Sequence, residues 1–138
     1  RKQSFVRLRL EPLEAGKEPK DIAEPVARSL VSPKASSAAF LQLVDSMCRL
    51  HKASYMKSIK ATVYSDTHKR LAEISVPTHV IVGADDKLTT PEMARDIAGQ
   101  IKGARLTVIA DAGHLVNIEQ PAAFNAAALA FLREVRPE

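Results

Sequence analysis

The chain is short of the residues that build stapled, membrane-spanning or nucleic-acid-binding proteins. It has one cysteine, no tryptophan, five glycines and only 4% aromatic residues. A lone Cys48 cannot close an internal disulfide, and it lacks the Cys/His spacing of a zinc site, so a small buried side chain is expected there. No run of about 18 apolar residues is available to span a membrane. No charged stretch followed by an apolar segment and a cleavage site opens the chain, which is therefore expected to be cytoplasmic.

Charge is present but divided. Residues 1–70 hold 14 Lys and Arg against 7 Asp and Glu, and residues 71–138 hold 6 against 9. The basic residues of the first part, Arg7, Arg9, Lys17, Lys20, Arg28, Lys52, Lys57 and Lys60, are spread through helical patterns rather than clustered. With so few aromatics among them, solvated helix faces are expected and no nucleic-acid surface.

Periodicity divides the chain at the same place. Residues 1–70 read as helices without a strand, punctuated by Pro12, Gly16, Pro19, Pro25 and Pro33, each expected to start or stop a short helix. From Ser36 onward Phe40, Leu43, Val44, Met47 and Leu50 recur at three- and four-residue spacing, as one apolar helix face requires, and Tyr55, Ile59 and Val63 continue it. Ser65 or Asp66 could cap a further short helix through Ile74. After Val76-Pro77 the pattern changes. Thr78–Val82 is a β-branched apolar run, and Pro91 opens a helix with Met93, Ile97 and Ile101 on one face. Arg105–Ile109 is a second apolar run, and Pro121 opens a last helix bearing Phe124, Ala128, Phe131 and Val135. Strand, helix, strand, helix predicts an α/β fold with parallel strands and crossover helices. Both strands are apolar at successive positions, so each is expected to be covered on two faces, with at least one more strand alongside.

In parallel α/β sheets reactive side chains gather beyond the carboxyl ends of the strands. Two chemistry-bearing loops lie there. Gly83-Ala84-Asp85-Asp86-Lys87-Leu88-Thr89-Thr90-Pro91 follows the first strand and Asp111-Ala112-Gly113-His114 the second. One offers a carboxylate, from Asp86 or Asp85, and the other an imidazole. His51, His68 and His79 have no comparable setting and are expected on the surface or in a strand.

These segments, with Glu119, Pro121 and Phe124 in register after His114, resemble the α/β-hydrolase fold superfamily. There a VPT-x-V-I-x-G-x-x-D-x-x-(T)-x-P segment supplies a catalytic acid and an (A)GH-x-x-x-x-E-x-P-x-x-F segment a histidine. The resemblance covers essentially the whole chain and is closest to the 3-oxoadipate enol-lactonase branch, through Asn117-Ile118-Glu119-Gln120-Pro121 and Phe124-Asn125. It implies that Asp86, the third residue after Gly83, is the acid and His114 the general base, with Asp85 the alternative acid. It further implies a helical cap over residues 1–70 and a C-terminal core segment over residues 71–138. The cap would lie over the strand ends, with Leu43, Met47, Tyr55 and Ile59 as candidates for the walls of an acyl pocket or its packing. No metal or organic cofactor is implied.

One part of the superfamily's chemistry has no counterpart. Its nucleophile sits in a Gly-x-Ser-x-Gly elbow, and none of Gly16, Gly83, Gly99, Gly103 and Gly113 frames a serine, aspartate or cysteine in that way. The His-Gly segment of the oxyanion hole is missing too. The chain is therefore expected to be the C-terminal portion of a serine-type hydrolase cleaving a small-molecule ester or lactone. Alone it should be inactive and incomplete, its partner being an N-terminal fragment of the same precursor or a second copy. An aspartate nucleophile would turn the chemistry toward dehalogenase or epoxide hydrolysis. A non-catalytic fragment or binding module is the reading from another class.

Overall fold

The computed structural model describes residues 2–64 and 68–135. They divide into two compact units, Arg1–Ser29 with Ser36–Asp66 and Leu30–Ala35 with Thr67–Glu138.

The first unit is helical: α1 (Lys2–Glu14), α2 (Pro19–Leu30), α3 (Ser37–Cys48) and α4 (Lys52–Tyr64). Ser36 caps α3 by accepting a hydrogen bond from the Ala39 amide at 3.1 Å, which satisfies one of the amides every helix start leaves open. Ala39, Leu43 and Met47 form the buried stripe of α3. α1 packs on α4, burying Leu10 and Leu13 on the one and Ile59 on the other, and Lys60 reaches Glu14 at 2.9 Å.

Four expectations fail in this unit. Pro12 and Pro25 do not bound helices but lie inside α1 and α2, which run 13 and 12 residues. A proline inside a helix costs about 3 kcal/mol. The stripe Ile22, Ala23, Val26 and Ala27, at most 3% exposed, continues across Pro25, and full burial of one such Val or Ile contributes about 1.5–3 kcal/mol in the opposite sense. Arg9 is not on a solvated face but is 4% exposed. Its guanidinium stacks 4.3 Å from the centre of the Phe5 ring and donates to Ser29 Oγ at 3.3 Å, a use of the flat, delocalised cation that lysine could not match. Cys48 is exposed, because it follows Met47 around the helix and falls off the buried stripe.

The second unit begins its regular structure with a short 3₁₀ helix, His68–Glu73. The expected caps for it, Ser65 and Asp66, lie outside the described residues. Then follow β1 (His79–Gly83), α5 (Pro91–Gln100), β2 (Arg105–Ile109), α6 (Val116–Glu119) and α7 (Pro121–Glu134). The strands pair in parallel, from His79 opposite Arg105 to Gly83 opposite Ile109, and are the only sheet among the described residues. This is an α/β arrangement with a small parallel sheet, preceded by helices. β1 starts one residue later than expected and ends on Gly83. Pro91 stands at the first position of α5 and Thr90 at its N-cap, without a side-chain capping bond. Of the face expected on α5, Ile101 just past its end is buried and Ile97 half-buried, but Met93 is 40% exposed and the adjacent Ala94 is buried in its place.

Alternation puts His79, Ile81, Thr107 and Ile109 on one face of the pair. Ile81 and Phe124 of α7 pack against a core of Ile109, Ala112 and Val116, and Phe131 of α7 meets the His79 ring at 5.2 Å. Cover is incomplete: Val108 is 40% exposed, and no residue of α7 is buried, with Leu129 at 51% and Leu132 at 57%.

Candidate active site

Both chemistry-bearing loops leave the carboxyl ends of the paired strands, and the two are packed backbone to backbone. The Ala84 amide donates to Ile109 O at 2.8 Å and the Asp85 amide to Ala112 O at 2.9 Å. Glycine is required at the contact: a Cβ on Gly83 would lie 2.2 Å from Gly113 O, and one on Gly113 would lie 2.3 Å from Leu30 O. Asp111, just before this contact, carries the left-handed backbone (φ 56°) that aspartate tolerates better than most residues.

That packing brings Asp86 and His114 together. His114 Nδ1 is 2.9 Å from Asp86 Oδ2, with the carboxylate side chain 3% exposed and the imidazole 32%. Asp86 fills its remaining acceptor positions locally. Oδ1 accepts from the amides of Leu88 at 2.8 Å and Thr89 at 2.9 Å, and Oδ2 also accepts from Thr89 Oγ1 at 2.7 Å. Burial pushes the Asp86 pKa up, but the hydrogen bonds from His114, Thr89 and Leu88 outweigh it and hold the acid below its ordinary value. An ionised carboxylate accepts from Nδ1–H, which leaves Nε2 as the basic nitrogen of the neutral ring.

Asp85, the alternative acid, is half-buried and does not reach the imidazole; its Oδ2 accepts from Ser32 Oγ at 2.5 Å. Of the other histidines, His51 is exposed and bonded to Ser54. His79 lies in β1 with Nε2 on Thr107 Oγ1 at 2.8 Å.

Three participants carried no assigned role in the sequence. Thr89 stood in the motif after the acid without a function, and an aspartate followed at the second and third positions by free amides is a recurrent local turn. Glu119 stood in the motif without a function. Its carboxylate, 9% exposed, accepts from the amides of Gly113 at 3.0 Å, Leu115 at 3.2 Å and Ser32 at 2.7 Å. Ser32 gave no signal, because the partners that link it to the two loops lie 53 and 87 residues away. Among the described residues no group of three or more His, Cys, Asp or Glu is disposed to hold a metal ion, and no helix is long and apolar enough to cross a membrane.

The sequence pattern of the alpha/beta hydrolase family matches residues 4–127. The chain belongs to that family. Among its hydrolase relatives, 3-oxoadipate enol-lactonase 1 of Acinetobacter baylyi is 35% identical over 81 residues, 59% of this chain and 30% of the lactonase. Two solved structures share the fold. A hydrolase from Pseudomonas aeruginosa PA01 superposes with a TM-score of 0.82 at 27% identity, over 95% of this chain and 50% of that one. The enol-lactonase from Burkholderia xenovorans LB400 superposes with a TM-score of 0.77 at 27% identity, over 94% and 48%. The chain thus spans about half the length of the two solved hydrolases and matches 30% of the Acinetobacter lactonase, and its fold is a partial hydrolase fold related to enol-lactonases.

Proposed function

We propose that this chain supplies the acid and the base of a serine-type hydrolase that cleaves a small ester or lactone, with Asp86 and His114 in those roles. The observation that carries the reading is the 2.9 Å contact of His114 Nδ1 with a buried, fully hydrogen-bonded carboxylate. Nε2 of His114 takes the proton of a serine hydroxyl as its oxygen attacks the substrate carbonyl. The imidazolium then returns that proton to the departing oxygen, and water attacks the acyl-enzyme by the same relay. Asp86 holds the ring tautomer and stabilises the imidazolium. The serine, in a Gly-x-Ser-x-Gly elbow, is contributed by an N-terminal portion of the same protein. In this reading residues 1–70 form the cap and residues 71–138 the core segment, and the kinship with enol-lactonases favours a small anionic lactone as substrate.

The test is turnover by the complete protein of a short-chain ester and of a small anionic lactone, before and after a serine-directed covalent inhibitor. Turnover abolished by the inhibitor, with its label on a serine between two glycines, supports the reading. Turnover of haloalkanes or epoxides through a labelled aspartate replaces it with the aspartate-nucleophile chemistry, and no turnover of any of these leaves a binding module.

A further inference from the structure

Each amide of the stretch Gly113-His114-Leu115 is held by an acceptor outside it. Glu119 takes the first and third, and Leu30 O takes the His114 amide at 2.8 Å. The histidine is therefore positioned by a segment, Leu30–Ala35, that lies far from it in sequence. Besides Leu30 O and the exposed Lys34–Asp111 pair, that segment is anchored by one buried residue. Ser32, 2% exposed, donates its amide to Glu119 Oε2 at 2.7 Å and its hydroxyl to Asp85 Oδ2 at 2.5 Å. Its hydroxyl also accepts the Lys34 amide at 3.1 Å. Glu119 anchors the histidine loop, and Asp85 immediately precedes the acid. Ser32 thus ties to one another the two loops whose separation sets the Asp86–His114 distance.

We propose that Ser32 is a positioning residue for His114, acting through Asp85 and Glu119 to keep the imidazole in register with the Asp86 carboxylate. The inference rests on the proposed role of His114 as base, but its geometric content can be read without catalysis. A ring N–H held on a buried carboxylate gives a far-downfield proton resonance, which His114→Ala identifies by its loss.

In the complete protein, Ser32→Ala should broaden or abolish that resonance while the melting temperature still marks a cooperative fold. kcat should fall about 10- to 100-fold with KM nearly unchanged, the scale of effect expected when a base is misplaced by up to about 1 Å. Asp85→Ala should do the same, whereas Asp85→Asn, which keeps an oxygen for the Ser32 hydroxyl, should restore both signal and rate. The double variant Ser32→Ala/Asp85→Ala should be no slower than the slower single, because both remove one hydrogen bond. Lys34→Ala, which removes only an exposed ion pair with Asp111, serves as the control and should keep the resonance. A sharp, unshifted resonance with unchanged kcat in Ser32→Ala would overturn the proposal, as would losses that multiply in the double variant. Should Ser32→Ala fail to fold, the Asp85→Ala and Asp85→Asn pair decides by the same criteria. If instead His114→Ala retains full activity, the assigned base is wrong, while the resonance still reports whether Ser32 positions the ring.

Discussion

Asp85 and Asp86 are neighbours in the chain and bind different loops: Asp86 takes the imidazole of His114, and Asp85 takes the hydroxyl of Ser32. Two carboxylates of the same type are therefore separable by mutation. In the complete protein His114→Ala should lower kcat by about 10⁴-fold or more, because the attacking hydroxyl loses its base, and Asp86→Asn should act in the same direction. Asp85→Asn should cost less than about tenfold, the scale of one adjusted neutral hydrogen bond. Steady-state kinetics on the three variants decides the matter; an Asp85→Asn more damaging than Asp86→Asn reverses the assignment of the acid.

The depressed pKa of Asp86 makes a statement about stability. Its folded value lies below the unfolded one, so the stabilisation is fully present above the ordinary carboxylate value of about 3.9 and is lost as pH falls through the folded value. Asp86→Asn should therefore flatten the acid limb of a plot of urea midpoint against pH. Parallel acid limbs in the two proteins would show that the hydrogen bonds from His114, Thr89 and Leu88 do not depress this carboxyl.

His79 should act in the same direction at higher pH. Burial and the nearby Arg105 lower its pKa, with Glu134 opposing them, and its Nδ1 is buried without a hydrogen-bond partner among the described residues. The unfolded chain then binds the proton more tightly, so stability should fall as pH drops through the ordinary imidazole range near 6.5. Replacing His79 with Phe, which keeps a ring against Phe131, should remove that part of the pH dependence, as followed by thermal melts between pH 5 and pH 8.

Glycine-to-alanine substitutions should split in sign. At Gly113 the new methyl would meet Leu30 O at 2.3 Å and the Ser32 amide nitrogen at 2.7 Å, so backbone must move, at about 1–3 kcal/mol. At Gly99, inside α5, nothing lies within 4 Å, and alanine should stabilise by about 0.5–1 kcal/mol. Chemical denaturation of both variants measures the difference, and a Gly113→Ala as stable as the parent would contradict the close packing of the two loops.

The 138-residue chain by itself should associate. A two-stranded sheet is marginal, Val108, Leu129 and Leu132 are 40–57% exposed, and the strand edges offer unpaired backbone. Light scattering behind size exclusion tests this, and a cooperatively folded monomer of 15.0 kDa would refute it. If the proposed function is right, co-expression with a segment carrying the Gly-x-Ser-x-Gly elbow should convert the associated material into a defined complex.

What could be read from the sequence was what short spacing encodes. The strand–helix–strand–helix order of residues 78–134, the turn glycines and the meeting of the Asp86 and His114 loops at the strand ends all follow from patterns a few residues long. Pro12 and Pro25 misled because local proline preference is weaker than burial of the stripe beside them. Arg9 and Cys48 misled because residue type sets only average exposure, whereas position on the helix sets the actual one. Glu119 meets Gly113 and Leu115 within six residues, but Ser32 meets Asp85 and Glu119 only when distant segments come together, and no spacing rule reaches across that distance.

The separations that hide these contacts also set an order in time. Ser32 meets Asp85 across 53 residues, Lys34 meets Asp111 across 77, and Ser32 meets Glu119 across 87. Closing such long loops has an entropic cost before any contact can offset it. The local α5 crossover can form early, but the acid and the base can be brought to their final separation only after the chain has been made past Glu119. A nascent chain that emerges through Gln100 would hold Asp86 in its turn before His114 has been made. In refolding followed by hydrogen exchange, the amides of Ser32, Gly113 and His114 should be among the last in this unit to gain protection.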